Sequence, residues 1–189
     1  MYIISENPQA HQSQKMIADA LLKLMQIYPY EDITITQICQ EAQVARRTFY
    51  RNFEFKIDVL EYSLGILFQN YLSNYFDSNF TMRQELECYF EYLFQNKDFF
   101  TLLDKHNLFH IVNKTHTLFF SQFIYISKII DTLKEPKLTP YVLGFISSTI
   151  CSNIQFWVKN NFDVSFEIIA ALTTVFLSGL ENAKHFYID

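Results

Sequence analysis

TITQICQEAQVARRTFYRNFEFK, residues 34 to 56, reads as two short helices joined by a tight turn and followed by the start of a longer helix. Thr34 and Gln37 stand at the T-x-x-Q spacing of a capping box, in which each side chain satisfies a backbone N–H that the helix start leaves open. Ile35, Ile38, Cys39 and Ala42 recur at three- and four-residue steps and give the first helix one buried face, with Val44 plugging the turn. The second helix, Arg46 to Asn52, carries Arg46, Arg47 and Arg51 together with Thr48 and Tyr50. Two short helices with a basic second member describe a helix-turn-helix, here over residues 34–53, whose second helix enters the major groove of DNA.

Around this motif lies a chain of 189 residues, 50% hydrophobic and 17% aromatic, with only 3 Gly and 4 Pro. Few chain breakers and long apolar periodic runs predict an all-α protein. The net charge of -5 does not announce a nucleic-acid binder, but its distribution does. Between Arg46 and Lys56 stand four basic residues and one acid, whereas residues 61–189 hold nine Lys/Arg against thirteen Asp/Glu. The positive field is therefore local to the second short helix, and an acidic body disfavours wrong-way docking on DNA.

The run of residues 13 to 62 resembles the DNA-binding head of the TetR family of transcriptional regulators. The resemblance is carried by the amphipathic first helix (Met16, Ile17, Ala20, Leu21, Leu24, Met25), by Ile33-Thr34-Ile35, and by Ile38, Ala42 and Val44. It continues through Arg47-Thr48-Phe49-Tyr50, Phe53, and Lys56 with Asp58 and Leu60. It implies that Thr34, Thr36, Tyr50 and Lys56 hold phosphates, that Arg46, Arg47, Thr48, Arg51 and Asn52 face base edges, and that Phe49 and Phe53 are core. Two positions depart from the family pattern. Gln43 stands where the turn usually has Gly, and Ala45 where the recognition helix often has a Ser or Thr cap. The resemblance further implies a homodimer on a pseudo-palindromic double-stranded DNA operator, acting as a repressor released by a small apolar or aromatic effector. The alternative is a helical ligand- or protein-binding module whose head has lost operator binding.

Helix signals divide the rest of the chain. The first helix is expected from about Ser13 to Tyr28, and a long fourth helix from Lys56 to about Tyr75, broken by Asp77-Ser78-Asn79. Thr81 with Gln84 repeats the capping box and starts a helix to about Gln95. Residues 97–113 read as one or two short helices, and Thr115 to Leu133 as another. Thr139-Pro140, a cap followed by Pro at the first helical position, opens a helix to about Asn160; Ser165 caps the last one, to about Lys184. The expected layout is a three-helix DNA-binding head (11–71) joined by a long helix to a helical dimerisation and effector domain (72–189).

The last two helices are the expected dimer interface, formed by Phe145, Ile168, Leu172, Val175, Phe176 and Gly179. Gly144, the Phe156-Trp157 pair, a short polar turn and Ser165 resemble the C-terminal part of the dihydroxyacetone kinase activator subgroup of the same family. Intrachain core is the competing reading of these helices, since obligate interfaces resemble domain cores. Leu138 to Val158 is uncharged and long enough to span a bilayer, but its Ser, Thr, Asn and Gln residues and the missing basic flank favour a helix buried in protein.

No catalytic constellation is legible, and the chain is read as no enzyme and as needing no cofactor. His106 and His110 share an i, i+4 spacing and His116 follows, but no carboxylate completes a metal set. Cys39, Cys88 and Cys151 are widely spaced and read as reduced thiols. With no basic stretch leading into an apolar one at the N-terminus, no signal peptide is read, and the cytoplasm is the expected location. The aromatic wealth of residues 89–126 reads as core or as an effector pocket. The candidate pocket residues are Phe94, His106, His110, His116, Phe120, Phe123 and Trp157.

Overall fold

The computed structural model describes residues 8–75, 79–120 and 136–181, and these are helices and short connections throughout. Helix α1 (Pro8–Ile27) is followed by a 3-10 turn (Tyr30–Asp32), α2 (Ile35–Glu41), α3 (Arg46–Asn52) and the long α4 (Lys56–Asn74). Helices α5 (Met82–Gln95), α6 (Lys97–Lys105), α7 (His110–Phe120), α8 (Thr139–Lys159) and α9 (Phe166–Glu181) build the body. The first helix begins earlier than its expected start at Ser13. Nothing between Gln9 and Tyr28 breaks a helix, and the Ser13 hydroxyl bonds back to the Gln9 carbonyl at 3.0 Å instead of capping. Residues 97–113 resolve into α6 and the start of α7; the expected break at Asp77-Ser78 and the stretch 121–135 lie outside the described residues.

In the head, α1 lies against α2, α3 and α4 and supplies Ile17, Leu21 and Met25 to a sealed core. Phe49 enters it from the inner face of α3 and Phe53 from the cap that ends the helix, with ring centres 5.8 Å apart, and Tyr62 of α4 closes on Phe53 at 5.7 Å. Burying one such ring is worth roughly 1.5–3 kcal/mol, so the inner face of α3 fixes which residues remain for its outer face.

Three helices end in the same way. After α2, the Gln43 N–H bonds Gln40 O and the Val44 N–H bonds Cys39 O at 3.2 and 3.0 Å, with Gln43 at φ 53°. After α6, Asn107 (φ 56°) and Leu108 repeat the pattern, and after α8 so do Asn161 (φ 53°) and Phe162. This is the Schellman closure, whose left-handed residue is usually Gly. With no glycine at positive φ among the described residues, the chain uses Gln and Asn there. For Gln43 the left-handed backbone costs about 1 kcal/mol; the turn keeps its shape despite the departure noted in the sequence.

The body places α9 on α5, α8 on α6 and α7, and α4 on α7. Its interior is aromatic. Phe68 stacks on Phe119 at 4.5 Å, Tyr71 meets Tyr89 edge-on at 5.2 Å, and the Tyr71 and Tyr92 hydroxyls donate to the carbonyls of Glu85 and Leu67. Among the described residues no helix is long and apolar enough to cross a membrane. The three cysteines are free thiols, Cys39 and Cys151 buried and Cys88 half-buried.

Candidate nucleic-acid interface and effector region

The capping box at Thr34 is closed as expected: Gln37 N–H donates to Thr34 Oγ1 at 3.2 Å, and Thr34 N–H donates to Gln37 Oε1 at 2.8 Å. This seats α2 and the Schellman turn that presents α3. On the outer face of α3 stand Arg46, Arg47, Arg51 and the half-exposed ring of Tyr50, with Thr34 and Thr36 exposed beside them. Arg46 bridges the set: its guanidinium reaches Thr36 Oγ1 and Tyr50 Oη, both at 3.4 Å, and lies 5.9 Å from the Tyr50 ring centre. One arginine thus pre-orders two hydroxyls of the kind that bind phosphate.

Two of the expected DNA contacts are turned inward. Asn52 is buried and its amide donates to Thr48 O at 2.7 Å, closing the last turn of α3. The Lys56 ammonium donates to the carbonyls of Tyr30, Glu31 and Ile33, at 3.0 Å for the last two, and sits 4.2 Å from the Tyr30 ring centre. Its burial lowers its pKa, opposed by the nearby Glu31 and Asp32. The lysine spends its donors on holding the Tyr30–Ile33 connection to α4. Thr48 is half-buried on the flank of α3. A Lys56→Gln variant should therefore lose about 1.5–3 kcal/mol of stability, the worth of hydrogen bonds to a charged group. Its DNA affinity should keep the parent's salt dependence. Urea unfolding and a salt titration read the two quantities separately.

Seven residues are expected from the sequence as an effector pocket; the structure parts the three histidines among them. Phe94 and Trp157 do meet, stacked at 5.9 Å, with Phe162 edge-on to Trp157 at 4.9 Å. The Trp157 indole N–H donates to Val164 O at 2.8 Å, so this ring pins the turn between α8 and α9. His110 is exposed at the start of α7, and His106 faces the head. Phe120 closes α7 and Phe123 lies outside the described residues.

His116 is the polar centre of the body. It is buried against Phe68, with ring centres 4.6 Å apart, and is bonded through Nε2 to the Tyr89 hydroxyl and through Nδ1 to Cys151 Sγ at 2.7 Å. A polar thread continues from there. Ser147 lies beside Cys151, Thr117 Oγ1 is 3.0 Å from Ser147 Oγ, and Ser147 donates to Asn113 Oδ1 at 3.2 Å, at the surface. Burial pushes the Cys151 thiol up to about 12 and His116 down from 6.5 to about 3, so both are neutral at pH 7. Because the folded pKa of His116 is depressed, the unfolded chain takes up its proton first as pH falls. Stability is then full above about 6.5 and falls towards about 3, by about 1.4 kcal/mol per unit. Urea unfolding should show roughly 2 kcal/mol less stability at pH 5 than at pH 7.5. A His116→Gln variant should flatten that slope.

The last two helices each have two faces. Ile146, Ile150, Ile154 and Trp157 of α8, and Ala170, Thr173 and Leu177 of α9, point into the body. Their other faces carry Tyr141, Phe145 and Phe156, and Ile168, Leu172, Val175 and Phe176, with Gly179. Tyr141 is 77%, Phe156 71% and Val175 69% exposed in the single chain, too apolar a pair of faces to leave in water. Asn153 reaches Thr173 Oγ1 at 3.4 Å, tying the two helices side by side. Gly144 and Gly179 have open space where a Cβ would stand, so nothing among the described residues requires them to be glycine. Tyr141 and Phe156 extend the exposed apolar face beyond the residues named from the sequence. Their signal was in the sequence as the four- and eleven-residue steps Tyr141, Phe145, Phe156 along α8.

No family model matches the chain. A curated relative, the HTH-type dhaKLM operon transcriptional activator DhaS of Lactococcus lactis subsp. lactis (strain IL1403), is 31% identical over 91 residues. That stretch is 47% of this chain and 46% of the relative, so the match spans about half the length of the curated protein. Among solved structures, a dihydroxyacetone kinase operon activator DhaS superposes with a TM-score of 0.58 at 22% identity, covering 90% of this chain and 97% of that one. A tetR-family transcriptional regulator from Streptomyces coelicolor gives 0.59 at 14% identity, over 92% and 85%.

Proposed function

The fold is that of the TetR-type regulators, and from it we propose that the protein is a sequence-specific, DNA-binding transcriptional regulator that acts as a homodimer in the cytoplasm. One observation carries the reading. Arg46 and Arg47 occupy the first turn of α3, where no acid stands and where the helix dipole disfavours positive charge. Such an arrangement works against the stability of the helix and favours a polyanion in front of it. For a helical module with no use for DNA, two outward arginines in that first turn bring only the unfavourable dipole interaction.

In this reading α3 lies in the major groove, with Arg47 and Arg51 towards base edges and guanine their preferred partner. Thr34, Thr36, Tyr50 and Arg46 hold the phosphates that set register. Two heads then read half-sites of a pseudo-palindrome one helical turn or more apart. The relative's printed role is activation, whereas the resemblance read from the sequence implied repression, so the sign of regulation is left to experiment. Selection from a randomised duplex library, followed by reporter transcription from the recovered site, reads both. Enrichment of a two-fold symmetric site supports the proposal; a library that never enriches contradicts it.

An effector, in the same reading, is a small apolar or aromatic molecule bound among α4, α5, α7 and α8. Support comes from the His116 thread, a line of hydrogen-bonding groups in an otherwise aromatic interior, which matches the usual make-up of ligand sites.

A further inference from the structure

Helix α1 ends because of Pro29. Within an unbroken helix, the carbonyl of Met25 would accept from the N–H four residues on, which is Pro29 and has none. The next residue, Tyr30, opens a 3-10 turn, and its own N–H is one of those a helix start leaves open. The two orphans are taken up by one side chain from the body. Nε2–H of His106 donates to Met25 O at 2.8 Å, and His106 Nδ1 accepts from Tyr30 N–H at 3.2 Å. The donor on one nitrogen and the acceptor on the other are those of a neutral imidazole, so both ring nitrogens are used. His106 is buried, and it is the capping residue at the end of α6, held there by the left-handed Asn107.

The other end of this connection runs straight into the reading head. Tyr30–Ile33 leads directly to the Thr34 cap of α2, and Lys56 holds its carbonyls from the start of α4. Behind His106, α6 packs on α8, with Gln155 of α8 donating to Asp104 of α6 at 3.3 Å. A continuous path of contacts therefore joins α8 to the cap of the helix-turn-helix. It does not pass through α4.

We infer that His106 is the positioning residue that fixes the orientation of the head on the body, by pairing the two backbone groups Pro29 leaves open. This rests on the DNA-binding reading for its purpose, but not for its test. The full-length protein, with Cys88 replaced by Ser, carries spin labels through Gln12→Cys in α1 and Glu91→Cys in α5, diluted with unlabelled chain. The parent gives one narrow distance. His106→Leu, which fills the space without hydrogen bonds, broadens it while helix content stays unchanged. His106→Gln, whose amide offers one donor and one acceptor, restores the narrow distribution. In parallel the Tyr30 amide exchanges with solvent about tenfold faster or more in the Leu variant, the consequence of a lost buried hydrogen bond, and returns towards the parent rate in the Gln variant. A narrow distance in His106→Leu, or a Gln variant as broad as the Leu variant, overturns the inference. Both readouts are taken without DNA, so a protein that fails to bind any duplex leaves this outcome separate from that of the functional proposal.

Discussion

Replacing Val175 by glutamate is expected to leave a monomer with its helices intact. Val175 is 69% exposed in the single chain, and substitutions at such positions change stability by no more than about 0.5 kcal/mol. Any large effect must come from assembly. In a two-fold interface the substitution buries two unpaired carboxylates, each costing at least about 2 kcal/mol, and raises the dimer dissociation constant by a thousandfold or more at that cost. Leu172→Glu should behave in the same way. Sedimentation velocity measures the mass and circular dichroism the helix content. A Val175→Glu protein that still sediments as a dimer moves the interface away from α8 and α9.

Arg47→Ala is expected to give the largest loss of DNA affinity of any single truncation in the head. Arg47 is exposed on α3, and among the described residues no hydrogen bond ties its guanidinium to the fold, whereas Arg46 spans Thr36 and Tyr50. A lost base contact costs about 1–3 kcal/mol per head and relaxes specificity at its position, and a symmetric dimer feels it twice. Tyr50→Phe removes only a hydroxyl and should cost less, uniformly across sequences. Fluorescence anisotropy with the selected duplex and single-base variants of it separates the two. Equal affinity of Arg47→Ala and parent would place the recognition surface elsewhere.

The head was legible because its signals are local. A capping box, a three- and four-step apolar face and a run of arginines all act over fewer than ten residues, and the structure reproduces each of them. What escaped is long-range. Lys56 looks like a phosphate ligand from its place at a helix start. Only the fold reveals that Tyr30–Ile33 passes within reach of its ammonium and takes its donors. The bond made by Asn52 escaped for a related reason: at the last turn of a short helix, an amide can close the helix on itself.

In the body, helical spacing marks which residues share a face but not which element covers it. The broad apolar stripe of α9 is one continuous signal in the sequence. In the fold it splits, with Ala170, Thr173 and Leu177 against the body and Leu172, Val175 and Phe176 outward. The three histidines suffered most. His106, His110 and His116 lie close in sequence, yet the α6–α7 junction sends one to the head, one to solvent and one to the aromatic interior.

In the proposed function two copies of this chain present their α3 helices to one DNA site, and a titration of the selected duplex at increasing salt tests this most directly. Two chains per duplex are expected, with the logarithm of affinity falling linearly with the logarithm of salt concentration. The Arg46 guanidinium groups of the two heads, placed on phosphates, contribute about -2 to that slope; their removal from both heads loses it, whereas Arg47→Ala leaves the slope nearly unchanged and relaxes specificity. A complex of one chain per duplex, or an affinity with the same weak salt dependence for selected and random duplexes, would contradict it.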